Sequence, residues 1–151
     1  IAPHVVSDSH LREILDKVKR PCIRYTEATE ENVTQADCLI IDCYGLLSSI
    51  YRYGEISYIG GGFGVGIHNV LEAAVYGIPV IFGPNNKKFR EAQHLLEQKG
   101  GFEVTGYDDF KRLMDKFLSD EAYLQQAGKA AGNYVNHNAG ALEKIMKDIT
   151  L

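Results

Sequence analysis

The residues best suited to chemistry lie in one stretch, Gly60-Gly61-Gly62-Phe63-Gly64-Val65-Gly66-Ile67-His68-Asn69-Val70-Leu71-Glu72. Five glycines in seven positions lead there into an imidazole, an amide and a carboxylate. Bare backbone of that density is favoured where φ must be positive or where another group comes close. A helix opening near Asn69 would add free N–H groups and the positive end of its dipole, a seat for phosphate or carboxylate. Helical spacing turns Val70, Leu71, Ala74 and Val75 toward a sheet and sets Asn69, Glu72 and Tyr76 on another stripe, so Glu72 points toward the loop. An ionised carboxylate accepts hydrogen bonds at both oxygens and suits a vicinal diol such as a ribose. The plainer role for Glu72 is compensation of the helix dipole.

This loop is not a standard nucleotide signature. For every admissible start of G-x-G-x-x-G the last glycine falls on Val65, Ile67 or Asn69, and Gly66 is followed by Ile67 where a P-loop needs Lys. Both the dinucleotide oxidoreductase and the NTPase readings weaken, and a purely architectural glycine turn stands beside the ligand-binding one.

Two more loops carry candidates. In Asp42-Cys43-Tyr44-Gly45-Leu46-Leu47, Gly45 would let backbone groups reach a flat base edge, while Asp42 reads more simply as the cap of a helix starting near Leu46. Gly83-Pro84-Asn85-Asn86-Lys87-Lys88-Phe89-Arg90 places three cations at the start of a helix. There they oppose the dipole unless an anion joins them, or else they are simply hydrated. His68, at the mouth of the glycine loop, suits a phosphate contact better than His4, which follows the first short strand. His10, His94 and His137 sit on expected surface helices without partners at metal-ligand spacing, so no metal is expected. No nucleophile and base pair is readable from spacing.

Short β-branched runs alternating with helical stretches must position these loops, the arrangement of a parallel sheet covered by helices. The pattern predicts strands at Ala2 to Val6, Cys22 to Tyr25, Cys38 to Ile41, Ile56 to Ile59, Val80 to Phe82 and Phe102 to Val104. A helix through Leu11, Ile14, Leu15 and Val18 is expected to be capped by Ser7, Asp8 or Ser9 and ended by Pro21. Further helices are expected over Leu46 to Tyr53, Asn69 to Tyr76, Lys87 to Gln98, Asp109 to Leu118 (with Asp108 as a cap), Glu121 to Tyr134 and Ala141 to Ile149. In such α/β sheets ligands bind beyond the carboxyl ends of the strands, where these loops lie.

At 151 residues the chain reads as one α/β domain. Its 45% apolar and 24% charged residues exclude disordered and fibrous classes. A net charge of -4 with dispersed Lys and Arg argues against a general nucleic-acid binder. Three cysteines without a C-x-x-C pair suggest a reducing, intracellular setting. The Asn32-Val33-Thr34 sequon carries little weight, and neither a signal peptide nor a spanning helix is expected.

Together these segments resemble the C-terminal half of the Kdo transferases, which add 3-deoxy-D-manno-oct-2-ulosonic acid to lipid A. The likeness rests on Ala2-Pro3-His4, on Ile41-Asp42-Cys43-Tyr44-Gly45-Leu46-Leu47 with Tyr51, and on Gly60-Gly61 and Gly66 with His68-Asn69-Val70-Leu71-Glu72. Gly83-Pro84, Phe89-Arg90 and Asn138-Ala139-Gly140-Ala141 extend it. The resemblance implies a Rossmann-like, donor-binding half of a GT-B glycosyltransferase that uses CMP-Kdo, inverts the anomeric centre and needs neither metal nor cofactor. It carries the cytosine to Asp42, Tyr44, Gly45 and Leu46, the ribose to Glu72, and the phosphate region to Gly61, Gly66, His68 and Asn69; His4 joins the donor-binding set.

The same resemblance puts the general base, the lipid A precursor and any membrane contact on an N-terminal domain outside this chain, at the cytoplasmic face of the bacterial inner membrane. The chain alone is then expected to be soluble and inactive in transfer. It departs from the family pattern in lacking Arg between Pro3 and His4, and in having Leu46, Val70 and Lys88 where Glu, Pro and Asn are usual. Lys87, Lys88 or Arg90 would have to replace that Arg. The alternatives are the donor half of an enzyme using a UDP-, GDP- or ADP-sugar, and a non-catalytic α/β interaction domain.

Overall fold

The computed structural model describes residues 1–140 together with Ile145 and Met146. They divide into two compact units, the first Ile1–Ile50 and the second beginning at Tyr51.

In the first unit, α1 (Asp8–Lys17) is capped by Ser7, whose hydroxyl accepts from the His10 N–H at 3.3 Å. The helix stops at Lys17, ahead of Pro21, and buries Leu11. Strands β1 (Cys22–Arg24) and β2 (Cys38–Ile40) pair in parallel, with Cys22 opposite Cys38. The strand expected over Ala2 to Val6 does not form. Ile1 alone joins β2, through its amino group to the Leu39 carbonyl at 2.7 Å and its own carbonyl to the Ile41 N–H at 2.8 Å. Pro3 has no N–H with which to extend that ladder. The stretch expected as one helix from Leu46 to Tyr53 is a single turn, α2 (Leu47–Ile50), followed by a 3-10 turn at Tyr51–Tyr53.

The second unit is a three-stranded parallel sheet in the order β3 (Ser57–Ile59), β4 (Val80–Phe82), β5 (Gly101–Glu103). All three residues of the central strand β4 are buried, as a parallel strand covered on both faces requires. Alternation sends Val80 and Phe82 to one face and Ile81 to the other. The first pair packs with Ile59, Val70, Ala73, Ala74, Leu95 and Ala131; Ile81 packs with Val104, Phe117 and Ala127. The covering helices are α3 (Leu71–Ala74), α4 (Arg90–Glu97), α5 (Tyr107–Ser119) and α6 (Glu121–Asn138).

Helix α6 lies so close to the end of α3 that a Cβ on Gly128 would stand 2.2 Å from the Gly77 carbonyl oxygen. Gly106, not Asp108, takes the N-cap position of α5, and Asp108 falls in its first turn. Apart from Ile145 and Met146, both helical, the expected helix over Ala141 to Ile149 lies outside the described residues, as does Ala141 of the Asn138 motif.

Candidate functional site

The glycine loop leaves the carboxyl end of β3, and two of its residues adopt backbone angles that side chains oppose. Gly61 has φ +88° and Gly66 φ +145°. The loop closes on itself: Gly64 and Gly66 donate N–H bonds to the Gly61 carbonyl at 2.9 and 3.2 Å, and His68 donates to the Gly60 carbonyl at 3.2 Å. A Cβ on Gly61 would sit 2.2 Å from the Gly66 oxygen and 3.5 Å from the His68 ring. Gly61, Gly66 and His68 are thus brought together. The turn density in the sequence has a double cause, positive φ at two positions and close backbone approach at a third, Gly62.

That approach is to the loop after β4. A Cβ on Gly62 would lie 2.6 Å from the Gly83 nitrogen. Asn85 bridges the two loops, its N–H donating to the Gly62 carbonyl at 2.9 Å and its Nδ2 to the Gly64 carbonyl at 2.6 Å. Phe89 lays its ring against Gly66, where a Cβ would come within 3.0 Å. Sequence reasoning weighed this second loop for its cations and missed Asn85, although the Gly-Pro-Asn-Asn run is a turn signal whose side chains commonly bond backbone. Lys87, Lys88 and Arg90 are exposed around the start of α4.

Asn69 and Glu72 form a pair: Asn69 Nδ2 donates to Glu72 Oε1 at 3.0 Å, and Asn69 Oδ1 accepts the Leu71 N–H at 3.0 Å. The Glu72 carboxylate is therefore held in a fixed orientation on a half-buried residue. Tyr51 is close enough for the charge of Glu72 to add to burial in raising the phenol above its ordinary value.

The helix beneath them is shorter than expected. α3 covers only Leu71–Ala74, and Val75 is its C-cap, 52% exposed, while Ala73 takes the buried place expected for Val75. A single turn has almost no macrodipole, and one of its leading N–H groups is already taken by Asn69, so the expected helix-end anion site is not there.

In the first unit, Asp42 is not a helix cap. Its carboxylate accepts from the Thr26 hydroxyl at 2.6 Å, the Thr26 N–H at 3.0 Å and Arg24 Nε at 3.0 Å. The Thr26 hydroxyl foremost, with the backbone and Arg24 bonds, lowers its pKa to about 2. This ties the end of β2 to the end of β1 and leaves the following residues as the accessible part of the loop. Tyr44 is 76% exposed, Gly45 has φ +88° with open space around it, and Leu46 is half-buried. His4 is exposed. His94, expected on a surface, packs instead on α6, its Nδ1 at 3.1 Å from the Tyr134 hydroxyl.

Sequence reasoning also missed an apolar recess of about 430 Å³ in the second unit, lined by Tyr58, Phe63, Val104, Gly106, Tyr107 and Phe110. Phe63 links it to the glycine loop. Among the described residues no group of His, Cys, Asp and Glu could hold a metal ion, and no helix is long and apolar enough to cross a membrane.

Parallel strands flanked by helices, with a constrained glycine loop at a strand's carboxyl end, define a Rossmann-like α/β protein. The fold matches the C-terminal CMP-Kdo binding domain of WaaA from Acinetobacter baumannii, with a TM-score of 0.68 and 19% identity over 84% of this chain and 67% of that one. No family model matches the chain. In sequence it is similar to 3-deoxy-D-manno-octulosonic acid (Kdo) transferases. It is 37% identical to that of Aquifex aeolicus over 87 residues, which is 56% of this chain and 25% of the relative. It is 28% identical to that of Rickettsia felis over 149 residues, 93% of this chain and 31% of the relative. The chain thus spans between a quarter and a third of these relatives' lengths.

Proposed function

We propose that this chain is the donor-binding domain of a Kdo transferase and that it holds the CMP part of CMP-Kdo during transfer of the sugar to a lipid A precursor. The observation that carries this reading is the Asn69–Glu72 pair set beside the closed glycine loop. One carboxylate oxygen is held by an amide, which orients the group as an acceptor for a ribose diol. The exposed backbone at Gly61, held at φ +88° by the loop that Gly66 closes, meets the phosphate with the His68 ring beside it. Dipoles already fixed in place stabilise the charge that grows on the departing CMP without reorganising. On this reading the loop of Tyr44, Gly45 and the half-buried Leu46 receives the cytosine, and the Asp42 carboxylate, held by Arg24 and Thr26, keeps that loop in shape.

On this reading the general base for the acceptor hydroxyl belongs to another part of the enzyme. Transfer, the lipid A precursor and contact with the cytoplasmic face of a bacterial inner membrane fall to the rest of the enzyme. The 151 residues alone then bind donor and transfer nothing.

Titration of the chain with CMP, UMP, GMP and ADP, followed by backbone amide shifts, tests the reading. CMP should be preferred, with shifts in Gly61, Gly66 and Asn69, and Glu72→Ala should abolish the preference. Equal indifference to all four nucleotides would refute nucleotide binding, and a preference for UMP, GMP or ADP would refute CMP-Kdo as donor.

A further inference from the structure

We infer that Asn86 and Glu103 form a positioning pair that sets the shape of the glycine loop, and through it the affinity for the nucleotide; the second part rests on the donor-binding reading above. Asn86 lies in a loop whose neighbours Asn85 and Lys87 are exposed, yet it is itself 1% exposed. Its Nδ2 donates to the Gly83 carbonyl at 2.9 Å and to Glu103 Oε2 at 2.6 Å, and its Oδ1 accepts from Gln93 Nε2 at 2.6 Å. The orientation of the amide is fixed by its partners: turned over, its oxygen would face two acceptors and its NH₂ a donor. The loop after β4 is thereby tied to the last residue of β5 and to α4.

The two residues that grip the glycine loop flank this anchor. Asn85, one position earlier, bonds the Gly62 and Gly64 carbonyls, and Phe89, three positions later, packs on Gly66 and donates its N–H to the Asn86 carbonyl at 2.9 Å. Gly62 and Gly83 meet backbone to backbone, so the two loops cannot shift independently. Hydrogen bonds to a carboxylate are stronger than neutral ones, which makes Glu103 the firm end of the chain Glu103, Asn86, Asn85, glycine loop. A loop held in its binding shape before the ligand arrives loses less affinity to ordering.

The test uses the 151-residue chain, reading amide shifts of Gly61, Gly62, Gly64 and Gly66 without ligand and then the Kd for CMP. Asn86→Asp replaces the donor facing Glu103 by a carboxylate. It should move the glycine amides and weaken CMP about tenfold. Adding Glu103→Gln, which removes the like charge and supplies a donor, should return both toward the parent, a rescue that general destabilisation would not show. Should Asn86→Asp fail to fold, Glu103→Ala, at an exposed residue, is expected to displace the same amides.

Glycine amides that stay in place in Asn86→Asp and Glu103→Ala, or a double variant no closer to the parent, would overturn the positioning role. Displaced amides with unchanged CMP affinity would overturn its effect on binding. If the parent itself binds no CMP, the donor reading fails and the ligand-free shifts alone decide the positioning role.

Discussion

Replacing Gly62 by Ala puts a number on the contact between the glycine loop and the loop after β4. The new Cβ would lie 2.6, 2.7 and 2.9 Å from the nitrogen, Cα and carbonyl carbon of Gly83. Carbon atoms rest comfortably at about 3.5–4.0 Å, so the loops must part by roughly 1 Å. Overpacking of backbone on backbone costs about 1–3 kcal/mol. The Asn85 bonds to Gly62 and Gly64 stretch as well, at about 1 kcal/mol each. A loss of about 3–5 kcal/mol follows, a fall of about 1.5–2.5 M in the urea midpoint at a slope of about 2 kcal/mol/M. Gly64→Ala is the control, because its Cβ meets nothing nearer than the Gly61 oxygen at 3.6 Å and its φ is not positive. It should stay within about 1 kcal/mol of the parent, partly because Ala restricts the unfolded chain. Far-UV circular dichroism in urea gives the stabilities, and the CMP titration should show Gly62→Ala impaired and Gly64→Ala near normal. Equal midpoints for the two variants would refute the assignment of the glycines to close backbone approach.

Other expectations follow from the same geometry. Asp42→Asn removes the charge that Arg24 and Thr26 bind, and should cost about 1.5–3 kcal/mol near pH 7. Because the folded pKa of Asp42 is lowered from 3.8 to about 2, its stabilisation is complete above 3.8 and disappears as the pH falls through 2. The difference between parent and Asp42→Asn should shrink over that window, and a difference independent of pH would show that the charge is not what matters. Gly128→Ala pushes a Cβ to 2.2 Å from the Gly77 oxygen and should lower the melting temperature by several degrees through about 1–3 kcal/mol of overpacking. An unchanged melting temperature would mean that α6 does not pack on the end of α3 as closely as described.

Much of the α/β pattern was legible in the chain because it is local. Val80-Ile81-Phe82 is an apolar β-branched run with no polar face, and it became the doubly covered central strand. Ser7 before an amphipathic run became a cap, and the crowd of glycines became positive φ at Gly61 and Gly66. Those outcomes need only a few consecutive residues.

Where partners come from distant segments, local signals failed. Asp42 had the spacing of a helix cap, but Arg24 and Thr26, brought beside it by the parallel pairing of β1 with β2, offered three donors to its carboxylate. Asn69 to Tyr76 had helical spacing for two turns, yet Gly77 at φ +69° and the approach of α6 ended α3 at Ala74. Nothing local singled out Asn85 and Asn86, whose partners Gly62, Gly64 and Glu103 the fold set against them. The sequence by itself determined where β1 to β5, α1 and the glycine loop form, since backbone propensity and periodicity act over neighbours. Tertiary structure decided which polar group binds which, because a hydrogen bond is short and directional and its partner is chosen by packing between residues far apart in the chain.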